Sequence, residues 1–293
     1  MSFTPIWGVP IALYLFLAGL GGGAFITAFC LRQTAPDDTV KTRKFAHYAA
    51  FIVVAVGLVL LMFDAKAGFH NPLRFALLLN NFGSWMTWGV VFLAVFEIVD
   101  LIVCILDIRN KNVPKWLEIV GVVFGVCVGI YTGALLATPH TFPLWNSAIL
   151  PILFLVSAVS TGAALTIGYG ALCQHDEFEH MEWVENAHFF LPIIEMVLVF
   201  FLMMITYSNG EAGVNSVLNL VSGAYAGAFW FGFVIIGLVA PFIADLFLKH
   251  MSGSGKRGGT VAADVMVIVG GFMLRYLIIV AALPVTLVVP AML

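Results

Sequence analysis

"WGVPIALYLFLAGLGGGAF", residues 7 to 25, holds no charged side chain and ends in a run of small residues. As a helix rising about 1.5 Å per residue, such a stretch is long enough to cross a hydrocarbon layer about 30 Å thick. Its glycines and alanines would let a neighbouring helix approach closely. Working outward, the same texture recurs along the chain. Spans are expected near residues 6–31, 45–63, 84–106, 116–138, 147–172, 189–208, 222–248 and 262–290. The last is long enough to contain Pro284 and still cross.

Composition supports this reading. Hydrophobic residues make up 62% and charged residues 10% of the chain, with a mean hydropathy of +1.06, whereas soluble domains carry about a quarter charged residues. A soluble fold is excluded. The 293 residues leave room for about seven to nine spans and no extramembrane domain, so any soluble chemistry belongs to a partner. The basic residues are scattered and the formal charge is only −3, which excludes a nucleic-acid partner. Cys30, Cys104, Cys127 and Cys173 show no CxxC or CxxH spacing, so no iron–sulfur or zinc signature exists and the thiols are expected to pack as small apolar groups. No Lys or Arg precedes Arg32, so the basic region of a cleavable signal peptide is missing and the first stretch is expected to remain a helix.

Loop charge orients the bundle. Arg32, Lys41, Arg43 and Lys44 fall in or beside the first connection, Arg109, Lys111 and Lys115 in the third, and Lys249, Lys256 and Arg257 in the seventh, which places ten of the 13 basic residues on odd connections. The even ones hold Lys66 and Arg74. The odd connections are therefore expected in the cytoplasm of a bacterial inner-membrane protein, with both termini periplasmic. The fifth connection, "CQHDEFEHMEWVENAH" (173–188), has no basic residue other than histidine, and its five carboxylates are expected to form a solvated face. Residues 13–24, "LYLFLAGLGGGA", align with residues 152–163, "ILFLVSAVSTGA". A repeat offset by four spans preserves orientation and predicts two parallel four-helix bundles, residues 1–140 and 141–293. Small-residue stripes recurring for close packing would give the same likeness without a repeat.

An ionisable group in hydrocarbon costs about 2.5–3.5 kcal/mol even on mild scales. Asp64 closes the second span; Glu97 and Asp100 lie on the inner part of the third, Glu195 on the inner half of the sixth, and Asp245 and Asp264 near inner ends. Arg275 is mid-membrane, with Glu195 a better-placed partner than Asp264, which lies about 16 Å away along the same helix. These residues either pin helices as ion pairs or form a proton path through Glu195, Arg275, Asp264, His188 and Glu97. For Glu97, Asp100, Asp245 and Asp264 the expectation leans to carboxylates reaching water at the interface. No opposed pair of histidines occupies helix interiors, because His47 and His188 sit at inner ends and the rest in connections. The chain is therefore expected to bind no haem.

At the outer end Trp7, Tyr14, His70, Trp85, Trp88, Tyr131, His140 and Trp145 gather with Asp64 and Arg74. Trp7 and Trp145 are expected to anchor in the interfacial belt. The phenols fit another purpose. A quinone pocket needs apolar walls and one or two donors for the carbonyl oxygens, and Tyr14 and Tyr131 lie about one to two turns below the outer surface.

These phrases, in order, resemble a known family. "WGVPIALYLFLAGLGGGAF", "DAKAGFHNPLRF" (64–75), "SWMTWG" (84–89), "GIYTGALLA" (129–137), "PLWNSAILPILFLVSAVSTGAAL" (143–165) and "GGFMLRYLIIVA" (270–281) are similar to the integral membrane subunits of the NrfD/PsrC, polysulfide reductase-like, family. The likeness is strong in the first half and fifth span, and rests on Glu195 and hydropathy in the sixth and seventh. It implies eight helices as two four-helix bundles, no haem or iron–sulfur cluster in this chain, and a menaquinone or ubiquinone site on the periplasmic side. It also implies a docked ferredoxin-like iron–sulfur subunit and, through it, a molybdopterin or multihaem cytochrome catalytic subunit. By the same likeness Tyr131 of the YTG phrase stands at the quinone, and Tyr14 matches a polar position where relatives can carry His. Asp64 and Arg74 match positions near the pocket, and Arg275 matches a recurrent arginine. Tyr131, Tyr14 and Asp64 are thus the expected catalytic groups, with His70, Arg74, Trp85 and His140 around them. The competing readings are a secondary transporter or a proton channel without quinone chemistry, favoured by the repeat and by Gly and Pro in the spans, although matching broken helices are not evident.

Overall fold

The computed structural model describes residues 8–64 and 81–285, with no side chain at Asp64. Trp7, Lys66, His70, Arg74 and the side chain of Asp64 lie outside the described residues. Among the described residues, eight helices are long and apolar enough to cross a membrane. They are α1 (Val9–Thr34), α2 (Val40–Asp64), α3 (Trp85–Ile108), α4 (Lys115–Ala137), α5 (Ile149–Cys173), α7 (Glu182–Tyr207), α9 (Ala228–Leu248) and α10 (Gly253–Ala281). Two shorter helices, α6 (His175–Phe178) and α8 (Gly210–Val221), lie between spans. The chain is a multi-pass membrane protein with no strand among its described residues.

α1 and α5 form the centre. α1 packs on α2, α4, α5 and α10, and α5 packs on α1, α4, α7 and α10. Between lipid-immersed helices there is no hydrophobic drive to associate, so close backbone packing holds them together. Gly162 lies so close to α1 that an added methyl would collide with the backbone of Gly23 and Ala24, and one on Gly23 would strike the carbonyl of Ala158. Gly23 and Gly162 are the two residues that the 13–24 and 152–163 alignment pairs with each other. Large apolar side chains such as Phe63, Phe200 and Phe231 point outward, as a lipid-facing surface requires.

Several boundaries differ from expectation. α7 starts at Glu182, seven residues before 189, and α10 runs from Gly253 to Ala281. Pro284 is therefore outside the last helix, because the residue before a proline is disfavoured in helical geometry. The chain beyond is held instead by Leu283, whose N–H donates to Ser216 Oγ at 2.9 Å, and Val285, whose N–H donates to Thr141 O at 2.9 Å. α8 occupies a stretch expected as a connection; its buried Gly213, Ser216, Val217 and Leu220 have the spacing of an amphipathic helix. The first part of α9, Ala228–Val239, is π-helical.

Two expectations are corrected. Trp145 is no belt anchor: it is 2% exposed and its indole N–H donates to Ile278 O at 2.7 Å, fastening the connection before α5 to the last turn of α10. The acidic fifth connection is not wholly a solvated face. Glu177 accepts from the backbone N–H of Lys41 at 3.0 Å and of Thr42 at 2.8 Å, and from Thr42 Oγ1 at 2.8 Å, capping the first turn of α2, where free N–H groups favour an anion. Glu185 pairs with Lys256 at 2.7 Å. Asp176, Glu179 and Glu182 remain exposed.

Candidate functional site

The structure brings Tyr14 and Tyr131 together at the end of the bundle that carries the even connections. Tyr14 is five residues into α1 and Tyr131 six residues from the end of α4, about 8–9 Å below the helix ends. Both are almost fully buried, at 1% and 3% exposure. The two phenols lie within electrostatic reach of each other, yet the Tyr14 hydroxyl has no well-formed hydrogen bond among the described residues. A buried hydroxyl without a partner costs about 1–3 kcal/mol, so a polar ligand has something to gain here.

Glycines make the room. Tyr131 presses its ring and hydroxyl onto Gly89 of α3, where any side chain would collide with it, and Gly57 of α2 lies beside the Tyr14 ring, where an added methyl would stand 3.7 Å from Cδ2. Both phenols belong to one buried apolar cluster with Leu93, which lies one turn from Gly89 on α3. Two phenolic donors in apolar surroundings are chemistry that suits a flat ring bearing carbonyl oxygens. Trp85 stands on the exterior of α3, 46% exposed, in an open apolar groove of about 460 Å³ with Gly83, Trp88 and Phe92. His140 is exposed in the loop after α4.

A second polar group forms among α5, α7 and α10. Arg275 is fully buried, donating from Nη1 to Ser157 Oγ at 3.0 Å and Gly271 O at 2.8 Å, and from Nη2 to Phe154 O at 3.4 Å. The guanidinium also lies over the Phe154 and Phe16 rings, at 5.2 and 5.7 Å. Glu195, 4% exposed, faces Arg275, Ser157 and Ser160. No direct ion pair within 4.0 Å joins it to Arg275; Ser157 stands between them. Asp264 is no partner of Arg275. It lies 4.0 Å from His188, which neighbours the Ser160 backbone. A cavity of about 340 Å³ then opens toward the odd-connection end, lined by Glu185, His188, Asp245, Lys249, Lys256 and Asp264.

The expectation that Asp100 and Asp264 reach water at the interface does not hold, since they are 0% and 3% exposed. Both point into the bundle, an azimuth that depth alone does not give. Glu97 is half-buried on α3, apart from the Glu195 group. Sequence reasoning does not single out Ser157 and Ser160, although they sit on the small-residue stripe of α5, the position from which a hydroxyl reaches a neighbouring helix. Among the described residues no three His, Cys, Asp or Glu side chains are placed to hold a metal ion.

Comparison with known proteins follows the same outline. A family model described as "Polysulphide reductase, NrfD" matches residues 1–286. The C polypeptide of polysulfide reductase from Wolinella succinogenes is 32% identical, covering 95% of this chain and 94% of that protein. Protein NrfD of Escherichia coli is 27% identical over 94% of each. The C polypeptide of selenate reductase from Mesobacillus selenatarsenatis is 21% identical, over 94% of this chain and 74% of that one.

Proposed function

From the premise that this chain belongs to the polysulphide reductase, NrfD family, we propose that it is the quinone-reactive membrane subunit of a respiratory oxidoreductase complex in the bacterial inner membrane. The observation that carries this reading is the buried Tyr14–Tyr131 pair, with its unpartnered hydroxyl. Menaquinol or ubiquinol bound there exchanges two electrons with a docked ferredoxin-like iron–sulfur subunit and, beyond it, a molybdopterin or multihaem cytochrome subunit, and two protons with protein groups and water at that end. Tyr131 and Tyr14 donate hydrogen bonds to the carbonyl oxygens and hold the exchangeable protons. Gly89 gives the Tyr131 ring its place against α3, and the buried Leu93, one turn away, helps to exclude water. Trp85 and His140 border the same end, where protons leave or enter; Asp64, His70 and Arg74 are assigned to it by the family likeness alone. The division into two four-helix bundles near residue 140, resting on the alignment of 13–24 with 152–163, and the periplasmic placement of both termini, resting on the basic odd connections, belong to this proposal.

Replacing Tyr131 by Phe should lower quinol-dependent turnover of the whole complex at least about tenfold. Assembly, and turnover of the soluble partner with an artificial donor, should not change. Unaltered quinol turnover would refute the assignment. Gly89→Ala, which drives a methyl into the Tyr131 ring, should produce the same loss with the phenol still present.

A second property is favoured by the polar line from the cavity at Asp264 and His188 to Glu195 and Arg275: charge movement across the membrane, coupled to turnover. In proteoliposomes Glu195→Gln should abolish the membrane potential generated per quinol oxidised, and a potential equal to that of the unaltered complex would rule this out.

A further inference from the structure

The ends of α1, α2, α3 and α4 on the odd-connection side surround a cavity of about 310 Å³. α1 stops at Thr34 and α2 starts at Val40, while α3 stops at Ile108 and α4 starts at Lys115. Both connections are short, so the cavity sits at the depth where hydrocarbon gives way to headgroups. Four cations, Arg32, Arg43, Lys44 and Lys111, line it against three carboxylates, Asp37, Asp107 and Glu118.

The carboxylates are already engaged or lie at the rim. Glu118 pairs with Arg32 at 2.6 Å, Asp107 Oδ2 stands 2.8 Å from His47 Nδ1, and Asp37 is exposed. Arg43, Lys44 and Lys111 have no carboxylate within 4.0 Å among the described residues. Arg43 Nη2 donates to Pro36 O at 2.6 Å, and Lys44 Nζ to Asp107 O at 2.9 Å and Asn110 Oδ1 at 2.7 Å, none of which offsets the charge. Two polar atoms are left over. Arg43 Nε and His47 Nε2 are buried with no hydrogen-bond partner among the described residues, and His47, 4% exposed, lines this same cavity. A cluster that only holds helices together pairs its charges internally. Here the surplus is positive and a guanidinium N–H has no acceptor, so an anion with several oxygens completes the lining. Phosphate, whose oxygens accept from guanidinium and ammonium groups at once, has that chemistry.

The setting indicates which phosphate. Val40 on the cavity wall, Ile105 and Ile108 of α3 and Trp116 of α4 are all exposed, which puts lipid-facing apolar side chains and an interfacial aromatic beside the basic rim. Basic pockets between helices on the cytoplasmic side are places where anionic headgroups bind.

We propose that this cavity is a binding site for the phosphate of an anionic phospholipid from the adjoining leaflet, held by Arg43, Lys44 and Lys111, with its acyl chains along Ile105 and Ile108. The lipid ties the start of α2 to the connection after α3. Without it three unpaired cations share one cavity, and like charges repel. Zwitterionic lipids carry the same phosphate beside an ammonium group, which these cations repel, so they bind more weakly.

The test uses the whole complex, stripped of lipid in detergent, with phosphatidylglycerol as the probe. Mass spectrometry of the intact complex counts the lipids retained, and melting is followed as lipid is titrated. Phosphatidylglycerol should raise the Tm of the unaltered complex, phosphatidylcholine should raise it less, and diacylglycerol, with chains but no phosphate, should not raise it. Arg43→Gln and Lys111→Gln should each weaken phosphatidylglycerol about fivefold, and the double variant should retain one lipid fewer. Arg43→Gln also loses the bond to Pro36; Lys111→Gln, at an exposed position, reads the lipid response free of that loss. Arg257→Gln, which removes one positive charge from the seventh connection on the same face, should leave the titration unchanged. Equal titrations for the double variant and the unaltered complex would overturn the proposal and leave the cavity a solvated vestibule, as would equal protection by phosphatidylcholine or by diacylglycerol. Protection by inorganic phosphate at the same concentration as phosphatidylglycerol, lost in the double variant, would overturn the lipid as the source and make soluble phosphate the ligand.

Discussion

Leucine in place of Gly162 is expected to remove the chain from the membrane fraction. The position sits where α5 meets α1, and even a single methyl would collide with the backbone of Gly23 and Ala24. Added bulk in a core where side chains can shift costs about 1–3 kcal/mol. Here the obstacle is main chain on the two central helices, and nothing at the contact can rotate aside. The cost therefore exceeds that range and takes up a large share of the roughly 5–15 kcal/mol that holds a domain folded. Gly258→Ala is the control: a methyl there meets nothing within 4 Å, and alanine favours a helix by up to about 1 kcal/mol. Immunoblots of membrane fractions, with melting of the detergent-solubilised chain, read both. Normal abundance of Gly162→Leu would mean that α1 and α5 do not pack through this glycine.

The second large effect is expected at Arg275. Methionine at this position fills similar volume but removes the donors to Ser157, Gly271 and Phe154, and leaves the buried Glu195 carboxyl facing Ser157 and Ser160 without the guanidinium. Breaking a buried charge pair by removing one member costs about 3–5 kcal/mol. The double variant Arg275→Met with Glu195→Gln removes the orphaned charge too, and should recover a substantial part of that loss. The cycle of four proteins measures the coupling directly. If the single and double variants melt at the same temperature, Glu195 and Arg275 are not coupled, and Ser157 does not join them.

The spans are legible in the sequence because burial in lipid writes itself as hydropathy, and that signal needs no knowledge of which helix touches which. The Tyr14–Tyr131 pair is legible through depth and family likeness, and chain order then brings the two helices together. Azimuth is not legible. Asp100 and Asp264 have the depth of interfacial groups, and only packing reveals that they point inward. His47 is legible as lying at an inner helix end, yet nothing local in the sequence says that it meets Asp107 of α3. Trp145 shows the same limit, because an aromatic near a helix end looks the same whether it faces lipid or the last turn of α10. The acidic fifth connection departs from expectation for a different reason. The partners of Glu177, at residues 41 and 42, are about 135 positions away in the chain, and no local pattern announces them.

That capping contact also has a consequence for synthesis. α2 is threaded into the membrane long before residue 177 leaves the ribosome, so its first turn waits with bare N–H groups until α5 has been inserted and the chain has returned to the same face. A nascent or truncated chain ending before Glu177 therefore exposes a frayed helix start on that face, open to a protease. The acidic connection works as a receipt that the fifth crossing has been made, and only chains that reach it have a sealed α2.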